Sequence, residues 1–359
     1  MYNVTIQRSV DAGVWNSLVR SVPEGTVFQT TYWADYVGST GYCTPYFCSV
    51  KDGDAYKAVL LFWVEGVNAR VRPENKIVGM LGAIAQRMRL SYGYWFYGPL
   101  VLDRADAANV LAELLDEVDR FCRTNKLVTM RNIAEPIHDP AAYAGDHASA
   151  VYNARAFTRI ERATLFMDLR TDVDTAWSRL KKSTRKDVSS CEKHSLTAGL
   201  LSADELDEYR AVISENVRRV RADFPPYYPD INMWNALRGA ENCLEVMAIK
   251  KDGRIMAGAG ILDFNGILCH MTSCQTDESY FKKINVNDLL TWEIAKWGIS
   301  RKRRLYDLTG IPLRPKDRKE QGLRNFKMKW SENIRVYNAY DKVYRSSMRA
   351  LIRTVRRFL

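Results

Sequence analysis

The sequence lacks several features that would assign a protein to a class at once. No run of eighteen or more apolar residues occurs, so no segment is predicted to cross a membrane. Histidine is scarce, with four residues. Neither an H-E-x-x-H helix nor a cysteine–histidine group with metal-ligand spacing is present, so we predict no metal site.

Cysteine and targeting signals are also limited. The seven cysteines are odd in number and scattered, without a C-x-x-C pair, so we expect no disulfide bonds. The first residues, Met-Tyr-Asn-Val-Thr-Ile-Gln, lack the charged-then-apolar order of a secretory signal. We therefore expect a cytoplasmic protein, with the inner face of the membrane as a peripheral location.

Positive charge is abundant and unevenly distributed. The formal net charge is +11, and basic residues concentrate at 179–186, 301–304, 314–329 and 342–357. Such clusters attract nucleic acids, phosphorylated substrates and anionic membranes alike, so charge alone does not choose among them. An ordinary solvated basic surface is an equally good interpretation of any single cluster.

Length and patterning indicate two α+β lobes. With 359 residues, 47% of them hydrophobic, the chain can fill two cores. Helix-period segments such as residues 103–125 alternate with strands joined at Asp252-Gly253 and Asn265-Gly266, which are strong hairpin signals. This order predicts largely antiparallel sheets flanked by helices. Residues 136–150 carry neither period, so we place the first lobe at 1–150 and the second at 151–335.

Two basic helices are predicted in the second half. One begins near Asp172, turns Trp177 and Leu180 inward, and collects a basic face from Arg179, Lys181, Lys182, Arg185 and Lys186. The other is an amphipathic C-terminal helix within residues 336–359. It gathers Met348, Leu351, Ile352, Val355 and Leu359 on one side, and we expect it to pack on the first lobe with weak contact to anionic membranes.

Three stretches of the second lobe carry a family resemblance when taken together. They are residues 177–193 (WSRLKKSTRKDVSSCEK), 306–311 (YDLTGI) and 322–327 (GLRNFK). Their order and separation resemble those of the Fem family of aminoacyl-tRNA-dependent transferases. In the first lobe, Val27-Phe28-Gln29 with Trp33-Ala34, and later Tyr97-Gly98-Pro99, are similar to motifs of the same family.

The resemblance implies two lobes of the GNAT acyltransferase fold, without the long coiled-coil arm of some members. It implies aminoacyl-tRNA as the donor, an amine-bearing acceptor that is a lipid-linked cell-wall precursor, another peptide or a small amine natural product, and no cofactor. The implied catalytic residues are Lys327, Asp307 and Tyr306. The implied donor-binding residues are Lys182, Arg185, Lys186, Arg324, Phe326 and Lys329, and the implied acceptor-binding residues are Gln29, Trp33, Tyr97, Tyr227 and Tyr228.

Each central residue also has a structural interpretation. Lys327 could stabilise the oxyanion or neutralise the tRNA end, or it could only flank a strand. Asp307 could orient Lys327, accept a proton through water, or cap the following turn. For Arg185 and Lys186, phosphate contact competes with a solvated helix face. No Ser-His-Asp or Cys-His grouping is suggested, so direct attack by the amine is favoured over a covalent intermediate.

Two departures from the family bear on the substrates. Members that act on UDP-linked peptides carry basic residues where this chain has Asp35-Tyr36-Val37-Gly38 and Tyr227-Tyr228-Pro229-Asp230, which disfavours a UDP-linked acceptor. GNAT enzymes that use acyl-CoA usually hold the pyrophosphate on a glycine-rich turn, but residues 280–287 contain no glycine. Coenzyme A is therefore the second choice of donor. A non-catalytic RNA- or membrane-binding protein of the same fold is the third hypothesis.

Overall fold

The protein is represented by a computed structural model that describes residues 2–66, 90–137, 145–222, 227–238 and 241–350. The chain forms two compact units. The first unit contains Met1–Glu161 together with Tyr337–Leu359, and the second contains Arg162–Val336.

Both units combine helices with strands. The elements up to residue 161 are β1 (Asn3–Gln7), α1 (Ala12–Arg20), α2 (Thr31–Ser39), β2 (Cys43–Asp52), β3 (Ala55–Gly66), β4 (Ser91–Tyr94), β5 (Leu100–Val101), α3 (Ala107–Thr124), β6 (Thr129–Ala134), α4 (Gly145–Ala154) and the start of β7 (Thr158–Asp168). The later elements are α5 (Val173–Arg179), α6 (Lys182–Ser189), β8 (Thr197–Leu200), α7 (Leu206–Arg219), α8 (Ile231–Arg238), β9 (Leu244–Lys251), β10 (Arg254–Phe264), β11 (Ile267–Gln275), α9 (Asp277–Phe281), α10 (Val286–Ser300), β12 (Leu305–Gly310), α11 (Arg318–Lys327) and β13 (Ile334–Val343).

The sheet of the first unit follows the order β1-β2-β3-β4-β6-β13, with β5 on β3. Its neighbours are antiparallel except for β4 and β6, which are parallel. The amphipathic helix α3 covers this sheet and buries one face that includes Val110, Leu114 and Val118. Full burial of one such side chain contributes about 1.5–3 kcal/mol, which explains why the 3.6-residue pattern alone locates this helix.

The second unit has the strand order β7-β12-β11-β10-β9-β8. The hairpins β9–β10 and β10–β11 turn at Asp252-Gly253 and Asn265-Gly266, where all four residues have positive φ, as the favoured two-residue turns require. Only the pair β11–β12 is parallel within this described sheet. The predicted α+β class with largely antiparallel sheets is therefore confirmed.

The C-terminal helix and the lobe boundary need correction. The first unit extends to Glu161 and takes the chain back at Tyr337, instead of ending at residue 150. Ile334–Val343 form the strand β13, where a helix was predicted from residue 336. Within this strand Tyr340 is buried and stacks on Tyr152 with ring centroids 3.9 Å apart. Residues 346–350 are helical, whereas 351–359, which carry most of the predicted apolar stripe, lie outside the described residues.

The segment predicted to form one basic helix from Asp172 forms two helices, α5 and α6. Leu180 adopts an extended backbone (φ −68°, ψ 145°) and ends α5, and α6 begins at Lys182. The Leu180 side chain is buried in the core of the second unit, so the chain bends to place it there. The five basic residues of this segment consequently do not share a single helical face.

Within the described residues, no helix is long and apolar enough to span a membrane. The same part of the chain holds no cluster of histidine, cysteine, aspartate and glutamate suited to a metal ion. All seven cysteines are buried free thiols.

Candidate active site

The sheet of the second unit opens between β11 and β12. Their parallel pairing runs from Ile267–Leu305 to Cys269–Asp307 and ends there in the described structure. His270 and Leu308 are the first residues beyond the paired segment. A ligand can approach backbone groups in such a gap, because the neighbouring strand no longer occupies them.

Both strands are irregular at this opening. In β11, Met271 and Thr272 stand opposite the single residue Gly260 of β10, which is a β-bulge. In β12, Leu308 and Thr309 stand opposite a single residue of β7, since the flanking pairs are Asp307–Phe166 and Gly310–Thr164. Bulges are frequent beside active sites because they redirect side chains and end regular pairing.

Lys327 contacts the end of β12 at this opening. It is the last residue of α11, a helix that starts where the Asp317 carboxylate accepts a hydrogen bond from the amide of Glu320 at 2.8 Å. Its Nζ donates to the carbonyl oxygens of Leu308 (2.7 Å), Thr309 (3.2 Å) and Gly310 (2.7 Å). A lysine ammonium has three donors, so all three are engaged with the end of β12.

The ionisation of Lys327 reflects this half-buried position. Burial lowers the pKa of Lys327 to about 8, while the Asp307 carboxylate acts in the opposite direction. The side chain thus carries a positive charge at neutral pH, close to the pH range in which it can lose it.

Asp307 lies beneath the opening and is fully buried. Its carboxylate accepts a hydrogen bond from the Thr164 hydroxyl and another from the amide of Thr309 at 2.7 Å. Thr309 has a positive φ of 60°, a conformation that this local bond to its amide helps to hold. Of the three roles considered for Asp307, the structure shows the third: its carboxylate caps the turn that follows β12 by accepting the Thr309 amide.

Tyr306 forms a buried pair with a residue that the sequence analysis did not select. The Tyr306 hydroxyl lies 2.6 Å from Nδ1 of His270 on the neighbouring strand β11. Burial lowers the pKa of His270, and the positive charge of Lys327 adds to this effect, so the imidazole is neutral at pH 7. Only the register of β11 against β12 brings these two residues together, so no local sequence signal identifies His270.

The predicted donor residues on α6 have different environments. Lys182 and Lys186 are exposed. Arg185 instead donates from Nη1 to the carbonyls of Ser178 and Leu180, both at 2.8 Å, where α5 has ended. The side chains of Lys182 and Lys186 therefore face solvent, and their donor-binding role stays a prediction, whereas Arg185 joins two helices.

The predicted donor residues around α11 are also mostly engaged within the protein. Arg324 donates to the carbonyl of Pro312 at 2.7 Å. Lys329 lies 2.9 Å from the carboxylates of both Asp187 and Asp288. Burial alone would lower the pKa of Lys329, but these two carboxylates outweigh it and raise the pKa. With two carboxylates beside it, Lys329 does not present a net positive charge.

The segment between β11 and α10, which contains the short helix α9 and the turn after it, differs from a phosphate-binding turn. The amides of Lys282, Lys283, Ile284, Val286 and Asp288 each donate to a carbonyl of this same segment. Asp288 also places a carboxylate in the first turn of α10, where a helix dipole would otherwise favour an anion. Beside this turn lies a cavity of about 240 Å³, lined by Phe326 and by polar residues that include Asn287 and Asp288.

The acceptor residues predicted in the first unit are packing residues. Gln29 is fully buried; its side-chain amide donates to the carbonyls of Leu61 (3.2 Å) and Phe96 (2.8 Å) and accepts from the Leu61 amide at 2.8 Å. Trp33 is also fully buried. Tyr97 is half-buried, with φ of 51°. Burial and hydrogen bonding within the first unit account for Gln29 and Trp33 in the first-lobe motif. The acceptor role of Gln29, Trp33 and Tyr97 stays a prediction.

The acceptor residues predicted in the second unit are half-buried. The backbone carbonyl of Tyr227 accepts a hydrogen bond from the Thr272 hydroxyl at 3.1 Å, beside the bulge of β11. Burial raises the pKa of Tyr228, whose ring lies 5.9 Å from the guanidinium carbon of Arg210. Tyr227 is thus anchored to the bulge of β11, and its acceptor role also stays a prediction.

Comparison with known proteins identifies the architecture. Residues 182–327 match the model of the acetyltransferase (GNAT) domain. The structure of FemX has a TM-score of 0.70 at 14% identity, covering 97% of this chain and 99% of that one. A tandem GNAT protein from the clavulanic acid biosynthesis pathway has a TM-score of 0.55 at 14% identity, covering 96% and 98%.

A third similar structure is the C-terminal domain of a protein from Agrobacterium fabrum assigned as a lysylphosphatidylglycerol synthetase. Its TM-score is 0.57 at 11% identity, with coverage of 95% of this chain and 94% of that one. No curated protein matches the sequence. At these identities the likeness establishes the fold, and the predicted resemblance to FemX and to two-lobed GNAT proteins is confirmed at that level.

Proposed function

We propose that this chain, which has the fold of FemX and of a tandem GNAT protein, is an aminoacyltransferase. It would move an aminoacyl group from aminoacyl-tRNA to an amine and form an amide bond. The observation that carries the proposal is the position of Lys327, whose ammonium is fixed at the opening between β11 and β12.

The chemistry needs a positive charge at this point. The amine attacks the carbonyl carbon of the aminoacyl ester, and negative charge develops on the carbonyl oxygen. The ester C–O bond then breaks, and the ribose oxygen of the tRNA takes the proton that the amine loses. A fixed cation in a half-buried site stabilises the intermediate charge without reorganising, which is an effective contribution to acyl transfer.

The choice of donor rests on the turn between β11 and α10. Enzymes that use acyl-CoA need free amides there for the pyrophosphate, whereas several amides of this turn are bonded to its own carbonyls. Asp187 and Asp288 together outweigh the positive charge of Lys329 between them, and this net negative charge further disfavours a diphosphate. Exposed Lys182 and Lys186 on α6 could instead meet the phosphates of a tRNA.

The acceptor is proposed to be an amine that lacks a diphosphate at the positions used by the UDP-linked substrates of the Fem family. Asp35 is an exposed carboxylate after Trp33. Asp230 uses its carboxylate to cap α8 through the amide of Met233 at 2.8 Å. Peptides, small natural products and lipid-linked amines remain candidates, and the printed name of the Agrobacterium fabrum relative contains both an amino acid and a lipid.

Retention on immobilised protein tests the donor. Bulk tRNA charged with a mixture of amino acids, the same tRNA after deacylation, and acetyl-CoA are applied in parallel. We expect charged tRNA to be retained preferentially, and mass spectrometry of the retained fraction identifies the amino acid. Binding of acetyl-CoA without charged tRNA would select the acyl-CoA alternative, and equal retention of charged and deacylated tRNA would select the non-catalytic RNA-binding alternative.

A further inference from the structure

The buried pair of His270 and Tyr306 determines which nitrogen of the imidazole carries the proton. Within the described residues, Nδ1 of His270 is the one hydrogen-bonding partner of the Tyr306 hydroxyl. If Nδ1–H donated to the tyrosine oxygen, the hydroxyl proton of this fully buried side chain would have no acceptor. A buried donor without an acceptor is costly, so the hydroxyl donates to Nδ1. The neutral ring then carries its proton on Nε2.

His270, which carries this Nε2–H group, lies beside the opening between β11 and β12. His270 is the first residue of β11 after its pairing with β12 ends, and it directly precedes the bulge formed by Met271 and Thr272. The side chain is half-buried, and its ring has no other hydrogen bond among the described residues. The imidazole is therefore a positioned donor beside the opening of the sheet.

Lys327 has no unengaged N–H group with which to donate a hydrogen bond to the developing oxyanion. All three N–H groups of Lys327 are directed to the carbonyls of Leu308, Thr309 and Gly310. Lys327 can stabilise a developing oxyanion through its charge, but a direct hydrogen bond to that oxygen would require Lys327 to leave a carbonyl. A second group that donates directly to this oxygen would complement the charge of Lys327.

We propose that His270 is a catalytic residue whose Nε2–H donates a hydrogen bond to the carbonyl oxygen of the acyl group being transferred, with Tyr306 as the positioning residue that fixes the tautomer. This rests on the proposed acyl transfer. His270 keeps its proton throughout: the bond to the carbonyl oxygen strengthens as the amine nitrogen attacks, and weakens when the ester C–O bond breaks and the ribose oxygen is protonated.

The first experiment measures the tautomer without any substrate. In ¹⁵N-labelled protein at pH 7, the imidazole shifts of His270 are assigned by loss of its signals in His270→Gln, with exposed His147 as the reference ring. We expect a protonated Nε2 and an unprotonated Nδ1 in the wild type, and a mixture of tautomers in Tyr306→Phe. A wild-type ring protonated on Nδ1 would overturn the proposal.

The second experiment measures turnover, with hydroxylamine as the amine and hydroxamate formation above the uncatalysed rate as the readout. Charged bulk tRNA and acetyl-CoA serve as separate donors, because an ester and a thioester carbonyl need the same hydrogen bond. We expect His270→Leu to lower kcat by about 10²- to 10³-fold while KM for the donor changes little. His270→Gln, which retains an N–H donor, should recover part of the loss, and His147→Gln should match the wild type.

The outcomes separate this assignment from the proposed function. Hydroxamate formation by the wild type that His270→Leu leaves unchanged would overturn the role of His270 alone. If the wild type forms hydroxamate from acetyl-CoA only, the aminoacyl donor is wrong, and the same His270 comparison is made with that thioester. Failure with both donors would remove the acyl transfer and the role of His270 with it.

Discussion

Arg185 and Leu180 are joined by a hydrogen bond of 2.8 Å between Nη1 and the backbone carbonyl oxygen, at the point where α5 ends. The same nitrogen lies 2.8 Å from the carbonyl of Ser178. Since Arg185 satisfies carbonyls that the helix end leaves open, Arg185→Ala should lower the free energy of unfolding by about 1–2 kcal/mol. Urea denaturation measures this, and an unchanged midpoint would contradict it.

Replacing Lys182 and Lys186 should weaken binding of the tRNA donor without changing the stability of the protein. Both are exposed on α6, so changing the pair to alanine should leave the urea midpoint nearly unchanged. If they contact tRNA phosphates, the double variant should bind tRNA more weakly, and the slope of log affinity against log salt should fall by about 1–2. Fluorescence titration at several salt concentrations is the measurement, with Arg120→Ala on α3 as the control for an exposed cation elsewhere.

Lys327→Met should separate activity from packing. Loss of the ammonium should reduce acyl transfer by about 10²- to 10³-fold, the usual effect of removing one stabilising group from the oxyanion. The carbonyls of Leu308 and Gly310 would also lose their donor, so the free energy of unfolding should fall by about 1–2 kcal/mol. Lys319→Ala, an exposed lysine on the same helix, is the matched control. Full turnover by the Met variant would remove Lys327 from the mechanism.

The activity that depends on Lys327 should decline as the pH rises through about 8. The ratio of wild-type to Lys327→Met rates is the quantity to follow, because the ionisation of the attacking amine is common to both proteins. This ratio should fall by up to about tenfold per pH unit above that value, as the ammonium loses its proton. A ratio that stays constant from pH 7 to 10 would show that the charge does not contribute.

Stability should respond to the same ionisation in the opposite direction. The pKa of Lys327 in the folded protein, about 8, lies below that of an unfolded lysine, about 10.4. Between these values the unfolded state binds more protons, so the contribution of Lys327 to stability rises with pH. The difference in urea midpoint between wild type and Lys327→Met should therefore change across this window and stay constant below it.

The tail should be tested by truncation after Ala350 and not after Asp341. A chain ending at Asp341 loses Lys342, which is buried and paired with Asp119, together with the end of β13, so it should be destabilised for a reason unrelated to membranes. A chain ending at Ala350 keeps these contacts. It should fold and lose the weak, salt-sensitive binding to phosphatidylglycerol vesicles that we predict for the arginine-rich tail. Equal co-sedimentation of the full chain and of the chain ending at Ala350 would contradict a membrane role for residues 351–359.

Local patterns predicted much of the fold and part of the site. The Asp252-Gly253 and Asn265-Gly266 turns predicted their hairpins because two-residue turns need positive φ. The 322–327 motif led to Lys327, which the structure places at the opening of the sheet. The structure leaves its catalytic role to be tested.

Contacts that depend on strand register or on an unpredicted break in a helix could not be predicted in this way. His270 depends on the register of two strands, since its partner Tyr306 is 36 positions away. The bond from Arg185 to Leu180 required knowledge that the helix breaks at Leu180. β13 pairs with β6 across some two hundred positions of chain, and its charged residues Lys342 and Asp341 obscured the strand pattern.

The place of β13 in the first unit has a consequence for how the protein is made. Residues 162–336 are synthesised between β6 and the strand that pairs with it, so a ribosome must complete the whole second unit before the first can close its sheet. The edge of β6 should stay unpaired during that interval, which is a known hazard for intermolecular strand pairing. At roughly 5–20 residues per second the synthesis of the intervening chain of about two hundred residues takes about 10–40 seconds, long enough for a chaperone to occupy the edge.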